Sequence, residues 1–378
     1  MIIMRVKINN FLLFNDFDIC MSYPKKIVGS GIRDEFLSGR PNFRYKKLVV
    51  LTGANATGKT ALGRILMRVF NFIDRKEYSH ITSIVEDTSK EATFEMDFVP
   101  ADAELFRVRI RVAPKTGDSY TSSDIAVSVK HCAILTTDNY EKSSARLDSI
   151  AEEVGSGYIR ELEKIPRLSW MFQFTGASER KVRGSGQPFD RTAYAKHLYR
   201  VLSCLDPRIT AVDSSEEEDS TFFVRLPNKN VVISNGRVVS DGILSSGTLE
   251  GVGIAEIIAS MKNHLYGFYY CDEKFSHVHS ETEKAFLSGM AGLIGENEQL
   301  FFTTHNAEVL DMNLPFHSFA FLRRDKYDGN KISCVFASEM IKKNNVSLKA
   351  AVENDVFSSA PDISAVFDIF DDAEAANE

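Results

Sequence analysis

The chain has 378 residues, of which 44% are hydrophobic and 26% are charged, and its formal net charge is −7. This length suits one large α/β domain with an elaboration, or two modest domains. Because the net charge is negative, any contact with nucleic acid has to come from a local basic patch. The five cysteines are odd in number and none has C-x-x-C spacing, which argues against a disulfide framework and against a zinc site.

Targeting signals are not evident in the sequence. No run approaches 18 consecutive apolar residues, and the N-terminal residues lack the charged-then-apolar pattern of a secretory signal. We therefore expect a chain without a membrane span that resides in the reducing cytoplasm.

Residues 1–47 predict a hairpin followed by a long loop. Met4, Val6 and Ile8 alternate with polar residues, and a second apolar run lies at 14–19, so we expect two paired strands. Residues 22–47 are rich in proline, glycine and basic side chains, which is typical of a loop.

A phosphate-binding motif follows at residues 53–60, which read Gly-Ala-Asn-Ala-Thr-Gly-Lys-Thr and fit G-x-x-x-x-G-K-[ST]. The motif lies between an apolar strand at 48–51 and a helix at 61–72, so backbone N–H groups and the helix N-terminus can surround a triphosphate. Lys59 is expected to reach the β- and γ-phosphates, and Thr60 to bind Mg²⁺. The sequence therefore predicts a site for ATP and Mg²⁺ with these nucleotide-binding residues: Gly53, Asn55, Ala56, Thr57, Gly58, Lys59 and Thr60.

The middle of the chain predicts mostly antiparallel strands. Residues 92–100, 105–114 and 125–132 alternate with a period of two and indicate a meander. A charged segment of helical spacing covers 139–168, a loop rich in glycine and arginine covers 176–191, and a helix covers 193–204. Two further strands are predicted at 221–226 and 231–234.

From residue 242 the pattern changes to alternating helices and strands, which favours a parallel α/β unit. Helices are expected at 249–263 and 280–294, and strands at 266–271 and 300–303. Ser245 and Gly247 precede the first of these helices, where a hydroxyl and backbone N–H groups can form an anion site. An ordinary helix N-cap is the alternative interpretation.

Acidic and histidine side chains follow the two predicted strands. Asp272 and Glu273 end the first strand, so we expect Asp272 to hold Mg²⁺ and Glu273 to orient and deprotonate the attacking water. His305 ends the second strand and is a candidate to contact the γ-phosphate or that water. Standing alone, these residues would fit an acidic turn and a structural histidine.

The ordered set GANATGKT, LSSGT, FYYCDE and TTHN resembles the ABC-type ATPases of the SMC, RecF and OLD group. Residues 272–279 also resemble the DEPExxLH stretch of stand-alone prokaryotic ATPases found in anti-phage defence loci. Lys274 and Phe275 replace proline and glutamate of that stretch, so we expect a different loop shape. The resemblance covers about residues 1–72 and 242–320 well and the middle poorly.

This resemblance implies an α/β P-loop NTPase of ABC type with a mixed sheet, an antiparallel β elaboration and a helical insertion. The ATPase core would be 1–72 and 242–345, the β lobe with its helical insertion 73–241, and the C-terminal segment with an acidic tail 346–378. Ser245 and Gly247 would act in trans, in a homodimer or higher homo-oligomer with ATP between subunits. Gln173 is a weaker candidate for a glutamine that senses Mg²⁺.

Two functions follow from this resemblance. The leading one is a slow, regulatory ATPase that serves as sensor or scaffold in an anti-phage defence system, like the ATPase of PARIS-type systems, and controls a separate Toprim effector nuclease. The rival is a RecF-like DNA-repair ATPase that clamps DNA, for which a basic patch is available: Arg180, Lys181, Arg183, Arg191, Lys196 and Arg200.

Overall fold

The computed structural model describes residues 1–100, 103–151, 157–181, 190–218, 220–239, 244–325, 328, 331–341 and 346–359. In chain order its strands are β1 (Ile2–Asn9), β2 (Phe17–Cys20), β3 (Phe36–Leu37), β4 (Arg40–Arg44), β5 (Leu48–Thr52), β6 (Ala92–Val99), β7 (Glu104–Val112), β8 (Ile125–Ala133), β9 (Trp170–Phe174), β10 (Ala177–Lys181), β11 (Ala211–Ser214), β12 (Thr221–Leu226), β13 (Lys229–Ser234), β14 (Arg237–Val238), β15 (Phe268–Asp272), β16 (Gln299–Thr303), β17 (Phe319–Asp325) and β18 (Lys331–Phe336).

The α-helices of the same residues are α1 (Lys59–Arg75), α2 (Ser79–Thr82), α3 (Tyr140–Ser149), α4 (Tyr158–Glu163), α5 (Arg191–Leu205), α6 (Ser246–Lys262), α7 (Ser280–Leu293), α8 (Ala337–Met340) and α9 (Leu348–Glu353). The helices predicted at 61–72, 193–204, 249–263 and 280–294 are thus confirmed as α1, α5, α6 and α7.

A seven-stranded mixed sheet in the order β10-β9-β15-β16-β5-β17-β18 forms the centre of the molecule. β9, β15, β16, β5 and β17 are parallel, and antiparallel β10 and β18 form the two edges. The inner strands carry apolar residues continuously, as expected for strands buried on both faces. Their carboxyl ends meet at one edge of the sheet, where ligands bind in open α/β folds.

Alternate residues of each inner strand enter two different cores. Val49 and Leu51 pack with α1 and with the five-stranded antiparallel sheet β2-β1-β6-β7-β8. Leu48 and Val50 pack on the opposite side, with α5, α6, α7 and the four-stranded sheet β11-β12-β13-β14. The central sheet is therefore covered on both faces, which fits the period of two of a strand.

Two predicted loops contain strands. Residues 22–47 were expected to be a loop, but Phe36–Leu37 and Arg40–Arg44 pair as β3 and β4, and Leu37 and Phe43 are buried. The loop predicted at 176–191 begins with β10, and residues 182–189 lie outside the described part of the chain. In both segments apolar or cross-strand contacts outweigh a loop-like composition.

The antiparallel meander is confirmed, since β6, β7 and β8 pair in sequence order. Its sheet also contains β1, which pairs with β6, while β9 lies in the central sheet beside β15. The division of the chain at residues 72 and 241 therefore does not follow sheet membership, and the domain boundaries remain a prediction.

Candidate nucleotide site

The loop between β5 and α1 has the backbone conformation that an anion-binding nest requires. Gly53, Ala56 and Gly58 have φ angles of 149°, 61° and 102°. A Cβ atom on Gly53 would lie 2.5 Å from the carbonyl oxygen of Leu322, so glycine is required there for space as well as for conformation. Helix α1 begins at Lys59, directly after this turn, and adds its N-terminal dipole.

A tyrosine of β15 holds the first turn of α1 in place. The Tyr270 hydroxyl donates a hydrogen bond to the backbone oxygen of Lys59 at 2.7 Å, and both tyrosine and lysine side chains are buried. A Cβ atom on Gly63 would lie only 2.5 Å from Cε1 of Tyr270. Burial raises the pKa of Tyr270 well above its usual value, so the hydroxyl keeps its proton and remains a donor.

The Lys59 ammonium lies at the centre of the loop. Its Nζ donates to the backbone oxygens of Gly53 at 2.9 Å and of Ala54 at 3.3 Å. It also lies 3.3 Å from Nδ1 of His305 and 3.7 Å from Oε1 of Glu273. Burial lowers the pKa of Lys59, and the Glu273 carboxylate opposes that shift.

Thr60 and Asp272 provide hard oxygen ligands next to the loop. The Thr60 hydroxyl donates to Oδ2 of Asp272 at 2.8 Å, and the Thr303 hydroxyl donates to Oδ1 at 2.8 Å. Burial raises the pKa of Asp272, while these two hydrogen bonds act in the opposite direction. One carboxylate and one hydroxyl suit Mg²⁺, which keeps several waters and takes its other oxygens from substrate phosphates.

Within the described residues, no three His, Cys, Asp or Glu side chains form a group that could hold a metal ion. The Thr60 hydroxyl and the Asp272 carboxylate are the two oxygen groups that would contact Mg²⁺ here.

Glu273 and His305 face each other at the same edge. Oε1 of Glu273 lies 2.6 Å from Nε2 of His305. Glu273 has a left-handed φ of 49°, a strained conformation for a residue with a side chain, and its N–H donates to Oγ1 of Thr303 at 3.0 Å. Thr303 thus fixes Asp272 and Glu273 together, a role that sequence reasoning did not assign.

A second unpredicted residue, Glu283 of α7, holds both neighbours of His305. The Thr304 hydroxyl donates to its Oε1 at 2.6 Å, and the Asn306 amide donates to its Oε2 at 2.8 Å. The side chain of Glu283 is buried, and burial raises its pKa. In sequence it reads as an ordinary acid in the first turn of a helix, so long-range contacts alone identify it.

Ser245 and Gly247 lie apart from this cluster. Ser245 is exposed and caps α6, accepting a hydrogen bond from the N–H of Thr248 at 3.3 Å. Gly247 lies against residue 277, since a Cβ atom there would be 2.6 Å from the His277 oxygen. None of the described residues 244–248 lines the cavity of about 430 Å³ at the P-loop. That cavity is lined by Leu12, Leu13, Asn55, Ala56, Gly58–Ala61, Arg64, Glu86, Glu273 and His305.

Gln173 is the penultimate residue of β9, next to the strand that carries Asp272. Its Nε2 donates to Oε2 of Glu256 at 2.8 Å, and a Cβ atom on Gly253 would lie 3.0 Å from its Oε1. Both polar atoms of the amide therefore face α6. The proposed Mg²⁺ role of Gln173 remains a prediction.

The basic patch proposed for DNA cannot be described as a unit. Arg183 and the side chains of Arg180 and Lys181 lie outside the described part of the chain. Arg191 donates to the backbone oxygen of Ser215 at 3.1 Å.

Across the helices that the structure describes, none combines the length and apolar character that spanning a bilayer requires.

Comparison with known proteins gives structural neighbours alone. No protein-family model matches the chain, and no curated protein matches it. An SMC head domain from Thermotoga maritima is 15% identical over 89% of this chain and 99% of that one, with a TM-score of 0.42. An SMC head bound to the C-winged helix domain of ScpA is 15% identical over 93% of this chain and 100% of that one, with a TM-score of 0.48. An SMC head domain with an extended coiled coil, bound to the C-terminal domain of ScpA derived from Pyrococcus furiosus, is 13% identical over 93% of this chain and 98% of that one, with a TM-score of 0.49. The chain is similar to SMC head domains.

Proposed function

We propose that this chain is an ABC-type ATPase that binds ATP with Mg²⁺ and hydrolyses it slowly. The observation that carries this proposal is the convergence of five side chains at one edge of the central sheet. The Thr60 hydroxyl contacts Asp272, and Lys59, Glu273 and His305 contact one another. A lysine in a glycine nest, an oxygen pair for a hard cation and a carboxylate for water are the parts that phosphoryl transfer requires.

Each residue has a separate part in this chemistry. The backbone N–H groups of 53–60 and the Lys59 ammonium bind the phosphate oxygens. Thr60 and Asp272 would hold Mg²⁺, which neutralises charge that develops on the phosphates. Glu273 accepts the proton of the attacking water, and His305 orients the Glu273 carboxylate through their 2.6 Å contact.

We further propose that the active assembly is a homodimer, in which Ser245 and Gly247 complete the site of the partner subunit. Ser245 is exposed at the start of α6 and lies apart from its own P-loop cavity, so a second copy can present it. An exposed helix N-terminus with a hydroxyl suits a γ-phosphate.

Mixing two inactive variants tests this arrangement. Lys59→Ala removes the phosphate lysine, and Ser245→Arg blocks the segment that acts in trans. A mixture should regain up to about a quarter of wild-type turnover, because half of randomly paired dimers contain one intact composite site. Ser245→Thr keeps the hydroxyl and is the control that should stay active. A mixture that remains inactive, while Ser245→Thr works, would reject action in trans.

The biological role that we propose is a sensor or scaffold in anti-phage defence that controls a separate effector nuclease. Support comes from the resemblance of residues 272–279 to stand-alone defence ATPases. Affinity purification of Glu273→Gln, which should bind ATP without hydrolysing it and accumulate as a dimer, should recover a nuclease subunit in its native host. Salt-sensitive DNA binding by the purified chain alone would instead favour a DNA-clamping ATPase.

A further inference from the structure

Lys274 follows the proposed catalytic base and is almost completely buried. Its Nζ donates to Oε2 of Glu250 in α6 at 2.6 Å, and the side chains of Lys274 and Glu250 are only 5% and 11% exposed. Desolvation of two charges offsets most of the attraction between them, so a buried ion pair is poorly explained by stability alone. The pair does, however, fix the distance between two backbone segments.

The same face of α6 carries further contacts with the sheet edge. Glu250, Gly253 and Glu256 are spaced three residues apart and lie on one side of the helix. A Cβ atom on Gly253 would lie 3.1 Å from Nζ of Lys274, so glycine lets the helix lie this close without displacing the lysine side chain. Glu256 accepts the hydrogen bond from Gln173 at the end of β9.

Helix α6 also begins at the segment proposed to act in trans. Ser245 is its N-cap, Gly247 lies against the backbone oxygen of His277, and Glu250 lies one turn further along. The beginning of α6 therefore contacts the loop after β15 at two points, through Gly247 at residue 277 and through Glu250 at Lys274.

We propose that the Lys274–Glu250 pair is a positioning device that couples segment 244–248 to the orientation of Glu273. Displacement of α6 on engagement with the partner subunit is transmitted through the ion pair to Lys274 and, across one peptide bond, to Glu273. Glu273 is suited to respond, because its strained φ of 49° depends on the contacts around it, among them the hydrogen bond from its N–H to Thr303. This inference rests on the proposed function and assigns Lys274 no contact with substrate.

Steady-state kinetics of Lys274→Met is the first test. We expect kcat to fall by roughly 10-fold or more, as when a catalytic group loses its placement, while KM and the Kd of a fluorescent ATP analogue stay within about twofold. The control is Lys284→Met, because Lys284 pairs with the exposed Glu281 on α7 and should be replaceable. An unchanged kcat in folded Lys274→Met would overturn the inference.

The exchanged pair Glu250→Lys with Lys274→Glu separates positioning from folding. It keeps an ion pair between the same segments, so it should regain much of the turnover that either single change loses. If Lys274→Met does not fold, the double change Lys274→Met with Glu250→Leu removes both charges and leaves none buried alone. Wild-type kcat in that folded double variant, or no recovery in the exchanged pair, would reject the coupling.

Measurements on the wild type and on Glu273→Gln show whether the proposed function itself fails. Absence of ATP turnover in the wild type would reject the ATPase assignment itself, and wild-type turnover in Glu273→Gln would reject the role of Glu273 as the base. Turnover that is normal in the wild type, lost in Glu273→Gln and unaffected in Lys274→Met rejects the positioning role alone.

Discussion

Glu273 and His305 are in direct contact, with 2.6 Å between Oε1 and Nε2, although they come from the ends of two different strands. The parallel register of β15 and β16 sets Asp272 opposite Thr303, so the residues that follow these two are brought together at the sheet edge. The proposed base and the histidine that orients it are therefore a product of sheet topology.

Replacement of His305 by alanine should lower kcat with little change in KM. The Glu273 carboxylate loses the ring that holds it, and a misplaced general base loses part of a contribution of roughly 10²- to 10⁴-fold. Single-turnover measurements of phosphate release would detect this. A His305→Ala variant that hydrolyses ATP at the wild-type rate would show that the contact is structural.

Replacement of Lys59 by alanine should weaken ATP binding by roughly 100-fold or more, because hydrogen bonds to charged groups contribute about 1.5–3 kcal/mol each. Isothermal titration calorimetry with a non-hydrolysable analogue measures the change. Lys284→Ala removes a surface lysine and is the matched control. Equal Kd values for wild type and Lys59→Ala would contradict the site.

Replacement of Glu283 by glutamine should change how stability depends on pH. Burial raises the pKa of Glu283 above its unfolded value of about 4.3, so its protonated form favours the folded state. That contribution is complete below about pH 4.3 and is lost as pH rises through the folded pKa. Since glutamine does not titrate, the free energy of unfolding of the wild type minus that of Glu283→Gln should decrease from about pH 4 upward. Urea unfolding across this range measures it, and a constant difference would refute the expectation.

Replacement of Gly63 by alanine should destabilise the protein by about 1–3 kcal/mol, because the new methyl group overlaps the buried Tyr270 ring. Gly289 is the control: it lies in the interior of α7 with no atom within 4 Å of the added Cβ, so Gly289→Ala should stabilise by about 0.5–1 kcal/mol. Denaturant midpoints of the two variants should therefore shift in opposite directions. A shift in the same direction would mean that the first turn of α1 is more adaptable than its contacts indicate.

The phosphate loop could be predicted from sequence because its chemistry is local. Gly53 and Lys59 are six residues apart, and one strand and one helix determine their placement. The acids at the end of β15 and the histidine after β16 were also predicted, since an apolar run that ends in polar residues is readable within each segment. Their roles as catalytic or metal-binding residues remain to be tested.

The parts that were missed depend on contacts between distant segments. The run Trp170–Phe174 was not assigned as a strand, although its five residues are all buried, because nothing local indicates that it pairs with β15. Lys46 and Lys47 lie in the segment predicted as a loop, yet both side chains are buried and their ammonium groups donate to the backbone oxygens of Cys20 and Arg33, respectively. The amino-acid composition of a segment does not indicate which of its lysines are buried and donate to a backbone carbonyl.

The hydrogen bond from the Tyr270 hydroxyl to the Lys59 backbone has a mechanical consequence. It connects the helix that follows the phosphate loop to the strand that ends in Asp272, so these two parts cannot hinge independently. Gly63 of α1 also packs against the Tyr270 ring, so α1 and β15 are expected to move as one rigid unit. Motion that accompanies turnover must then occur at its margins, in α6 and in the loop after β15, where the two subunits of the proposed dimer would meet.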